Sequence, residues 1–495
     1  EIISKAISLA KAENNKIIEF IEMLHKKVGQ EKIEVHEPET RKEIVAIIEK
    51  DHMEEIEKMT RERATKERSS HDDYKNLIDA IKKEHEDKKY GGGTIADAIE
   101  YASNKFVRTV VLDQNSRIDG RGFEDVRELF IEAGVLPRTH GSAIFQRGLT
   151  QVLSVATLGS LGMELFIEGP EGQESKRYMH YYNAPPFCYG EPGRIGSPGR
   201  REIGHGALAE KAIEPVLPSE EEFPYVAIVQ SEILSSNGST SMAATCGSTL
   251  ALLDAGVPLK NPVAGISVGL MERSAQEYKL LVDIIGMEDF AGDMDFKVAG
   301  TKDGITAIQL DVKNSGLTDN MITETLELAR KTRLFLLDKM AAVIPAPKAL
   351  SQYAPKVVIL TPPEDKIGAI IGPGGKNIRH ITALTGAEIN VGDDGKVSIS
   401  GIKQESVDQA AAYVEGLYTE AEKGKEYEGT VKTILPFGAV VEFLPGREGL
   451  VHISKMGTGF IKNVTDVVQI GDMVTVKVEE VDPRGRTSLI LVPKA

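Results

Sequence analysis

Three short stretches combine residue types and spacings suited to chemistry on phosphate groups. The first is Asp289-Phe-Ala-Gly-Asp293-Met-Asp295-Phe-Lys297. As a strand, residues 293–297 put Asp293, Asp295 and Lys297 on one face and turn Met294 and Phe296 into the core. Carboxylates beside an ammonium hold a hard divalent cation such as Mg²⁺ and neutralise a phosphate during displacement. The second stretch, Ser236-Asn-Gly238-Ser239-Thr240-Ser241, reads as a turn into a helix of small residues that begins near Ser239. Unpaired N–H groups at the positive end of that helix, with the hydroxyls of Ser239, Thr240 and Ser241, make a pocket for a phosphate-sized anion. The third is Gly196-Ser-Pro-Gly199-Arg200-Arg201-Glu-Ile-Gly-His205. Its adjacent arginines grip a phosphodiester bidentately, and His205, expected to begin the next helix, adds a donor. Each stretch alone also fits a plainer reading: a solvated turn with a salt bridge, an ordinary N-cap, a surface arginine pair. Together they supply a metal site, an anion site and a backbone clamp, the parts of a phosphoryl-transfer site.

These stretches fall within an α+β multidomain chain. Residues 1–104 are rich in Glu, Lys, Ile and Ala, and Ile17, Ile18, Ile21 and Leu24 recur at helical spacing. A helical domain with one buried stripe and solvated charged faces is expected there. From 105 to 345, short β-type runs (Gln151–Thr157, Tyr225–Ile233, Tyr278–Ile285, Ile305–Val312) alternate with helical patterns at His205–Val216, Thr240–Ala255 and Thr318–Val343. This predicts a mixed α/β domain. A Pro-marked linker leads to a small unit at 356–417, ordered strand, helix, Gly-rich turn, helix, strand, strand, helix. The last unit, 424–495, has alternating strands with turn signals at Pro445-Gly446 and Asp482-Pro483-Arg484-Gly485, as in a small barrel.

The bulk properties narrow the class. At 495 residues the chain exceeds a single core, and 41% hydrophobic with 27% charged residues is ordinary for a globular protein. No apolar run approaches the roughly 20 residues needed to span a bilayer, so no membrane partner is expected. The charged opening residues do not read as a signal peptide, and they resemble the middle of a helix, as in a fragment of a longer protein. Cys188 and Cys246 form no framework or metal-ligand spacing, which suits a reducing compartment. A net charge of −16 excludes indiscriminate coating of nucleic acid but not RNA held in specific pockets.

The stretches VLPRTHGSAIFQRG (135–148), GSPGRREIGHG (196–206), SSNGSTSMA (235–243) and GDMDFKVAG (292–300) resemble the second RNase PH-type domain of the polynucleotide phosphorylase family. The segments that follow resemble a KH domain and an OB-fold of the S-one type, the family's own order. The resemblance implies Mg²⁺-dependent phosphorolysis of single-stranded RNA from its 3′ end, with Mn²⁺ as the alternative cation. Inorganic phosphate is the co-substrate and nucleoside diphosphates are released; the reverse reaction polymerises them. Carried over, Asp289 and Asp295 hold the metal, and Lys297 neutralises charge on the phosphate or leaving oxygen. Ser239, Thr240, Ser241 and His205 cradle the phosphate, while Arg200 and Arg201 bind the RNA backbone; Asp293 is a weaker candidate ligand. In the KH-like segment Gly372, Gly375, Lys376 and Arg379 clamp single-stranded RNA. In the barrel Phe437 and His452 stack on bases, although Phe437 also fits a barrel core.

This chain departs from the family pattern at Gly199, where a Lys is common, and at Val440, where a second aromatic is common. The resemblance also implies a homotrimeric ring, RNA-degradation complex partners and a bacterial cytoplasm, with an organelle matrix as the alternative. The opening residues are read as the closing helix of a first RNase PH-type domain. Two rival readings stand beside it: a non-catalytic RNA-binding subunit of an exosome-like ring, and a metal-dependent hydrolytic exonuclease.

Overall fold

The computed structural model describes every residue except 1, 35, 37, 66–70, 89, 171, 393, 420, 445, 458–460, 483–485 and 493–495, and the side chains of 71 and 72. The turn signals at Pro445 and at 483–485 lie outside the described residues. The chain forms two compact units: Glu1–Thr157 with Tyr178–Pro218 and Ile228–Ser351, and Leu158–Arg177 with Ser219–Ala227 and Gln352–Ala495.

The first unit opens with five helices: α1 (Ile2–Val28), α2 (Glu39–Asp51), α3 (Met53–Thr65), α4 (His71–Glu84) and α5 (Gly92–Leu112). The stripe expected to be buried on α1 is not. Ile17, Ile18, Ile21 and Leu24 are all about half exposed, and α1 buries no residue. The buried stripes lie on the later helices, where Ile44, Ile48, Ile56, Leu77, Ile81, Ile95 and Ile99 make one core. Toward its C-terminal end α5 presents Phe106, Val107, Val110 and Val111 to a second core that includes Ile284, Ile285 and Ala291. That helix therefore buttresses the loops around Asp289.

Then come β1 (Leu129–Ala133), β2 (Gly141–Arg147), β3 (Thr150–Gly159), the β4–β5 hairpin (Leu165–Gly169, Gly172–Lys176), β6 (Tyr178–Asn183), α6 (Arg200–Ile213), β7 (Val226–Ser235) and α7 (Thr240–Asp254). They are followed by β8 (Ala264–Ser274), β9 (Glu277–Val282), α8 (Gly286–Ala291), β10 (Met294–Gly300), β11 (Ile305–Val312) and α9 (Asp319–Val343). Apart from the two-stranded β4–β5 hairpin, which falls in the second unit, the strands form two sheets, ordered β1-β2-β3-β7-β6 and β11-β10-β8-β9. Helix α7 touches β2 of one and β8 of the other, and is buried from Thr240 through Leu253. A helix enclosed on every side cannot be amphipathic. The hydroxyls past its first turn are satisfied within the fold: Thr245 Oγ1 donates to Ser241 O at 3.0 Å and Ser248 Oγ to Ala244 O at 2.7 Å.

Helix α6 begins five residues before the expected position, because Glu202 caps it by accepting from the Gly199 N–H at 2.5 Å. The bond uses only the backbone of residue 199. His205 therefore sits in the second turn, and the arginine pair occupies the first.

The second unit holds β12 (Lys356–Leu360), α10 (Glu364–Ile371), α11 (Lys376–Thr385), β13 (Glu388–Val391), β14 (Val397–Gly401) and α12 (Gln404–Tyr418) in the expected order. It continues into a closed barrel of β15 (Glu426–Leu435), β16 (Gly438–Leu444), β17 (Arg447–His452), β18 (Met473–Val481) and β19 (Thr487–Leu491), joined β15-β16-β17-β19-β18. Alternating residues such as Val431, Ala439, Val441, Val451, Val476 and Leu489 fill it. Among the described residues, no helix is long and apolar enough to cross a membrane.

Candidate active site

Strand β10 lies between β8 and β11, which places Asp295 opposite Gly269 and Asp311, and Lys297 opposite Ser267 and Gln309. Asp295 and Lys297 share a face as the period of two predicts, with Lys297 Nζ 2.6 Å from Asp295 Oδ2 and 3.8 Å from Asp311 Oδ2. Both are 6% exposed, and Asp295 Oδ1 has no hydrogen-bond partner among the described residues. Burial pushes the Asp295 carboxyl above its ordinary range; Lys297 pulls it down, and the Asp289 and Asp311 charges push it up. Asp289 stands half-buried on α8.

Asp293 does not join this face. It precedes the strand, and its Oδ2 accepts from Arg108 Nη1 and from the Glu272 N–H, each at 2.8 Å. Both bonds fasten the start of β10 to α5 and β8. Its Oδ2 is thus engaged by Arg108 and the β8 backbone.

The Ser-rich stretch turns as expected into α7. Gly238 (φ +86°) and Ser239 (φ +53°) adopt left-handed backbone, and a Cβ on Gly238 would lie 2.4 Å from Ile284 O. Only glycine fits that approach. Ser239 Oγ and Ser241 Oγ are buried without a partner among the described residues, whereas Thr240 Oγ1 pairs with Ser236 Oγ at 2.6 Å. The loop is fastened to the start of α8, since the Gly286 N–H donates to Asn237 Oδ1 at 3.1 Å. The Ser-rich stretch and the helix carrying Asp289 are thus one connected construction.

On α6, His205 packs edge-on against Tyr182 with ring centroids 5.1 Å apart, and the Tyr182 hydroxyl neighbours Thr240. Burial, then the Lys297 and Arg201 charges, lower the His205 pKa to about 4, and its Nδ1 has no partner among the described residues. The imidazole is therefore neutral at ordinary pH. Arg200 and Arg201 are exposed, and the Arg201 guanidinium lies 5.9 Å from the Tyr189 ring centroid. The structure thus draws Asp289, Asp295, Lys297, His205 and the start of α7 into one body, with the arginines at its surface.

Three family models match in succession: "3′ exoribonuclease family, domain 1" at residues 125–258, "KH domain" at 357–416 and "S1 RNA binding domain" at 420–491. Curated relatives named polyribonucleotide nucleotidyltransferase include that of Caldicellulosiruptor bescii, 47% identical across 99% of this chain and 70% of its own length. The chain belongs to the polyribonucleotide nucleotidyltransferase family. The relative from Halothermothrix orenii is 45% identical over 99% of this chain and 71% of its own, and that from Heliobacterium modesticaldum 51% identical over 80% and 55%. Among solved structures, a chain of the Archaeoglobus fulgidus exosome with RNA bound to the active site aligns at 20% identity and a TM-score of 0.41, covering 48% of this chain and 98% of that one.

The family's two smaller domains carry the remaining expected residues. In the KH domain Gly372, Gly374 and Gly375 have φ of +70°, +56° and +78°, so three left-handed glycines shape the turn between α10 and α11. Lys376 and Arg379 are exposed beside it. In the barrel, Phe437 is 49% exposed and stacks near His452, with centroids 6.5 Å apart and planes at 30°. Phe437 is thus a surface ring and not a barrel-core residue.

Sequence reasoning missed the groups behind the site: Arg108, Arg127, Arg147, Tyr182 and Asp283. Arg147 stood inside a quoted family stretch, but nothing in its spacing assigned it a partner about a hundred residues away.

Proposed function

We infer that this chain is a phosphorolytic 3′-to-5′ exoribonuclease, in which inorganic phosphate attacks the 3′-terminal phosphodiester of single-stranded RNA. A phosphate oxygen bonds to the terminal phosphorus as the bond to the penultimate 3′-oxygen breaks. That oxygen takes up a proton, and a nucleoside 5′-diphosphate departs. The observation that carries this reading is the set of buried polar atoms without a partner among the described residues: Ser239 Oγ, Ser241 Oγ, His205 Nδ1 and Asp295 Oδ1. Buried polar groups are otherwise nearly always paired, so such a set marks a place built for a polar ligand.

Each residue has a part in the proposal. Ser239 and Ser241, with the N-terminal amides of α7 and Thr240, hold the attacking phosphate. Neutral His205 offers a hydrogen bond without competing for the phosphate's proton. Lys297 offsets the negative charge that builds on the transferring group. Arg200 and Arg201 hold the RNA backbone near its end, and the glycine turn of the KH domain and the Phe437–His452 pair take single-stranded RNA further along.

Asp289 and Asp295 would hold Mg²⁺, or Mn²⁺ in its place. Asp295 Oδ1 is a hard carboxylate oxygen with no hydrogen-bond partner among the described residues. No group of three His, Cys, Asp or Glu side chains among the described residues forms a ready-made cage, which suits a cation held by one or two carboxylates and substrate oxygens. The bound cation would supply Lewis-acid neutralisation of the reacting phosphates.

The domain division proposed is 1–104, 105–345, 356–417 and 424–495. A ring of three subunits and a cytoplasmic setting complete the reading.

The test is to incubate the chain with poly(A) and Mg²⁺, with and without inorganic phosphate, and identify the nucleotide released. ADP only in the presence of phosphate, lost in Asp295→Ala, is the expected result. AMP without a phosphate requirement would replace this reading by hydrolysis. RNA binding without release, in the presence of phosphate, would mark a binding subunit.

A further inference from the structure

Behind the phosphate pocket lies a buried charge network that the reaction, as described, does not use. Asp283 is wholly buried with φ +55°. Its carboxylate accepts from Arg127 at the backbone N–H and Nε, both 2.9 Å, and at Nη2, 2.7 Å. Its Oδ1 also lies 2.6 Å from Arg147 Nε, and Arg147 is 0% exposed. Burial alone would raise the Asp283 pKa, but the Arg127 and Arg147 guanidinium groups hold it well below the carboxylate range. The three side chains are fixed against one another.

The other ends of these arginines converge on one short piece of backbone. Arg127 Nη1 donates to Asn237 O at 2.6 Å and Nη2 to Gly238 O at 3.3 Å, while Arg147 Nη2 donates to Ser239 O at 3.1 Å. Thr150 Oγ1 also donates to Gly238 O at 3.3 Å and accepts from the Asn237 N–H at 3.0 Å. Three successive carbonyls therefore meet the network, and that of Ser239 also accepts from the Met242 N–H at 3.2 Å and the Ala243 N–H at 3.4 Å as α7 begins. In a planar trans peptide the next residue's N–H points the opposite way. Holding the carbonyls of Asn237, Gly238 and Ser239 on the arginines turns the N–H groups of Gly238, Ser239 and Thr240 away from them, on the side where α7 starts. Successive backbone N–H groups turned to one side in a tight turn make an anion-binding concavity.

Room for the clamp is built in. Gly148 has φ +53°, and a Cβ there would lie 2.7 Å from Arg127 Cδ. Asp283 itself is held through its carbonyl, which accepts from Arg121 Nη2 at 3.0 Å and Arg117 Nη2 at 3.2 Å.

We propose that Asp283, Arg127 and Arg147 are positioning residues that set the enzyme's affinity for inorganic phosphate by holding the 237–239 carbonyls inward and the following amides toward the phosphate. None of the three touches substrate in this scheme; they act through the backbone of the loop. The proposal rests on the reading of the Ser239–Ser241 pocket as the phosphate site, and deepens it.

The experiment measures the KM for phosphate, the KM for poly(A) and kcat in Arg147→Lys, Thr150→Val and Ser239→Ala, with calorimetric titration of inorganic phosphate into each folded chain. Thr150→Val is nearly isosteric and removes only the hydroxyl bridge, so it reports even if Arg147→Lys fails to fold. The expected result is a phosphate KM raised tenfold or more in Arg147→Lys and about threefold in Thr150→Val, with the poly(A) KM within twofold of the parent. A raised phosphate KM in Ser239→Ala with none in Thr150→Val or folded Arg147→Lys would overturn the positioning role and leave the pocket standing. No change in Ser239→Ala, or release of AMP without phosphate by the parent, would overturn the pocket reading and the proposal with it.

Discussion

Asp295 and Lys297 show how one buried ion pair is pulled between stability and chemistry. The pair is nearly closed to solvent, and among the described residues Lys297 has only the more distant Asp311 as a second carboxylate. Removing one member of a buried pair leaves an uncompensated charge, at a cost of about 3–5 kcal/mol. Asp295→Ala is therefore expected to lose phosphorolysis and to lower the urea midpoint as well. Asp295→Asn keeps a polar partner for Lys297, so it should cost less stability while still reducing turnover by about 10²-fold or more, the scale of a lost charge-stabilising group. Turnover per folded molecule, with folding followed by circular dichroism, separates the two effects. If Asp295→Asn retained parental turnover, the carboxylate would have no part in the chemistry.

At the level of elements, the decisive feature is the handover from β7 through the 236–239 turn into α7. Gly238 abuts the Ile284 carbonyl at left-handed φ, so Gly238→Ala combines a steric clash with backbone strain of about 1–3 kcal/mol. We expect a lower thermal midpoint and a weakened phosphate response; an unchanged melt and phosphate KM would show that the turn is not held as described. Much of this was legible beforehand. The β-type run Ile305–Val312 and the small-residue run that follows the 236–239 turn are local signals, and β11 and α7 appear where those signals place them. The glycine turn of the KH domain was equally clear. What was not legible was what long-range contacts decide. The apolar spacing of α1 marks a helix without saying what covers it, and here those residues stay exposed. The start of α6 depended on Glu202 reaching back to Gly199, a cap lacking the usual Ser, Thr, Asp or Asn signal. Asp293 looked equivalent to Asp295 until Arg108, far earlier in the chain, claimed it.

For the whole molecule, acid stability and the division of binding between units follow from the same contacts. His180 is buried with its Nε2 3.0 Å from Ser231 Oγ, and burial lowers its pKa to about 4, as it does for His205. Unfolded histidine titrates near 6.5, so between pH 6.5 and 4 the unfolded chain binds protons that the folded chain refuses. Folding stability therefore falls as pH drops through that window, by on the order of 3 kcal/mol for each histidine. His180→Gln should remove its share, and urea unfolding at pH 7 and pH 4.5 should show a shallower fall than in the parent; parallel curves would mean that His180 is not held neutral. The second consequence concerns where each ligand is read. The proposed phosphate pocket lies in the first compact unit, and the glycine turn and the Phe437–His452 pair lie in the second. Gly374 has φ +56° and open space where a Cβ would stand, and aspartate tolerates left-handed backbone better than most residues. Gly374→Asp therefore keeps the fold and adds a negative charge where an RNA backbone would lie close. Phe437→Ala removes a stacking face worth roughly 1–3 kcal/mol per base. Each variant should raise the KM for poly(A) at least fivefold and leave the phosphate KM within twofold, whereas Ser239→Ala should do the reverse. A shared rise in both constants would mean that RNA capture by the smaller domains also governs how phosphate is bound, and the two recognition tasks would then have to be treated as one.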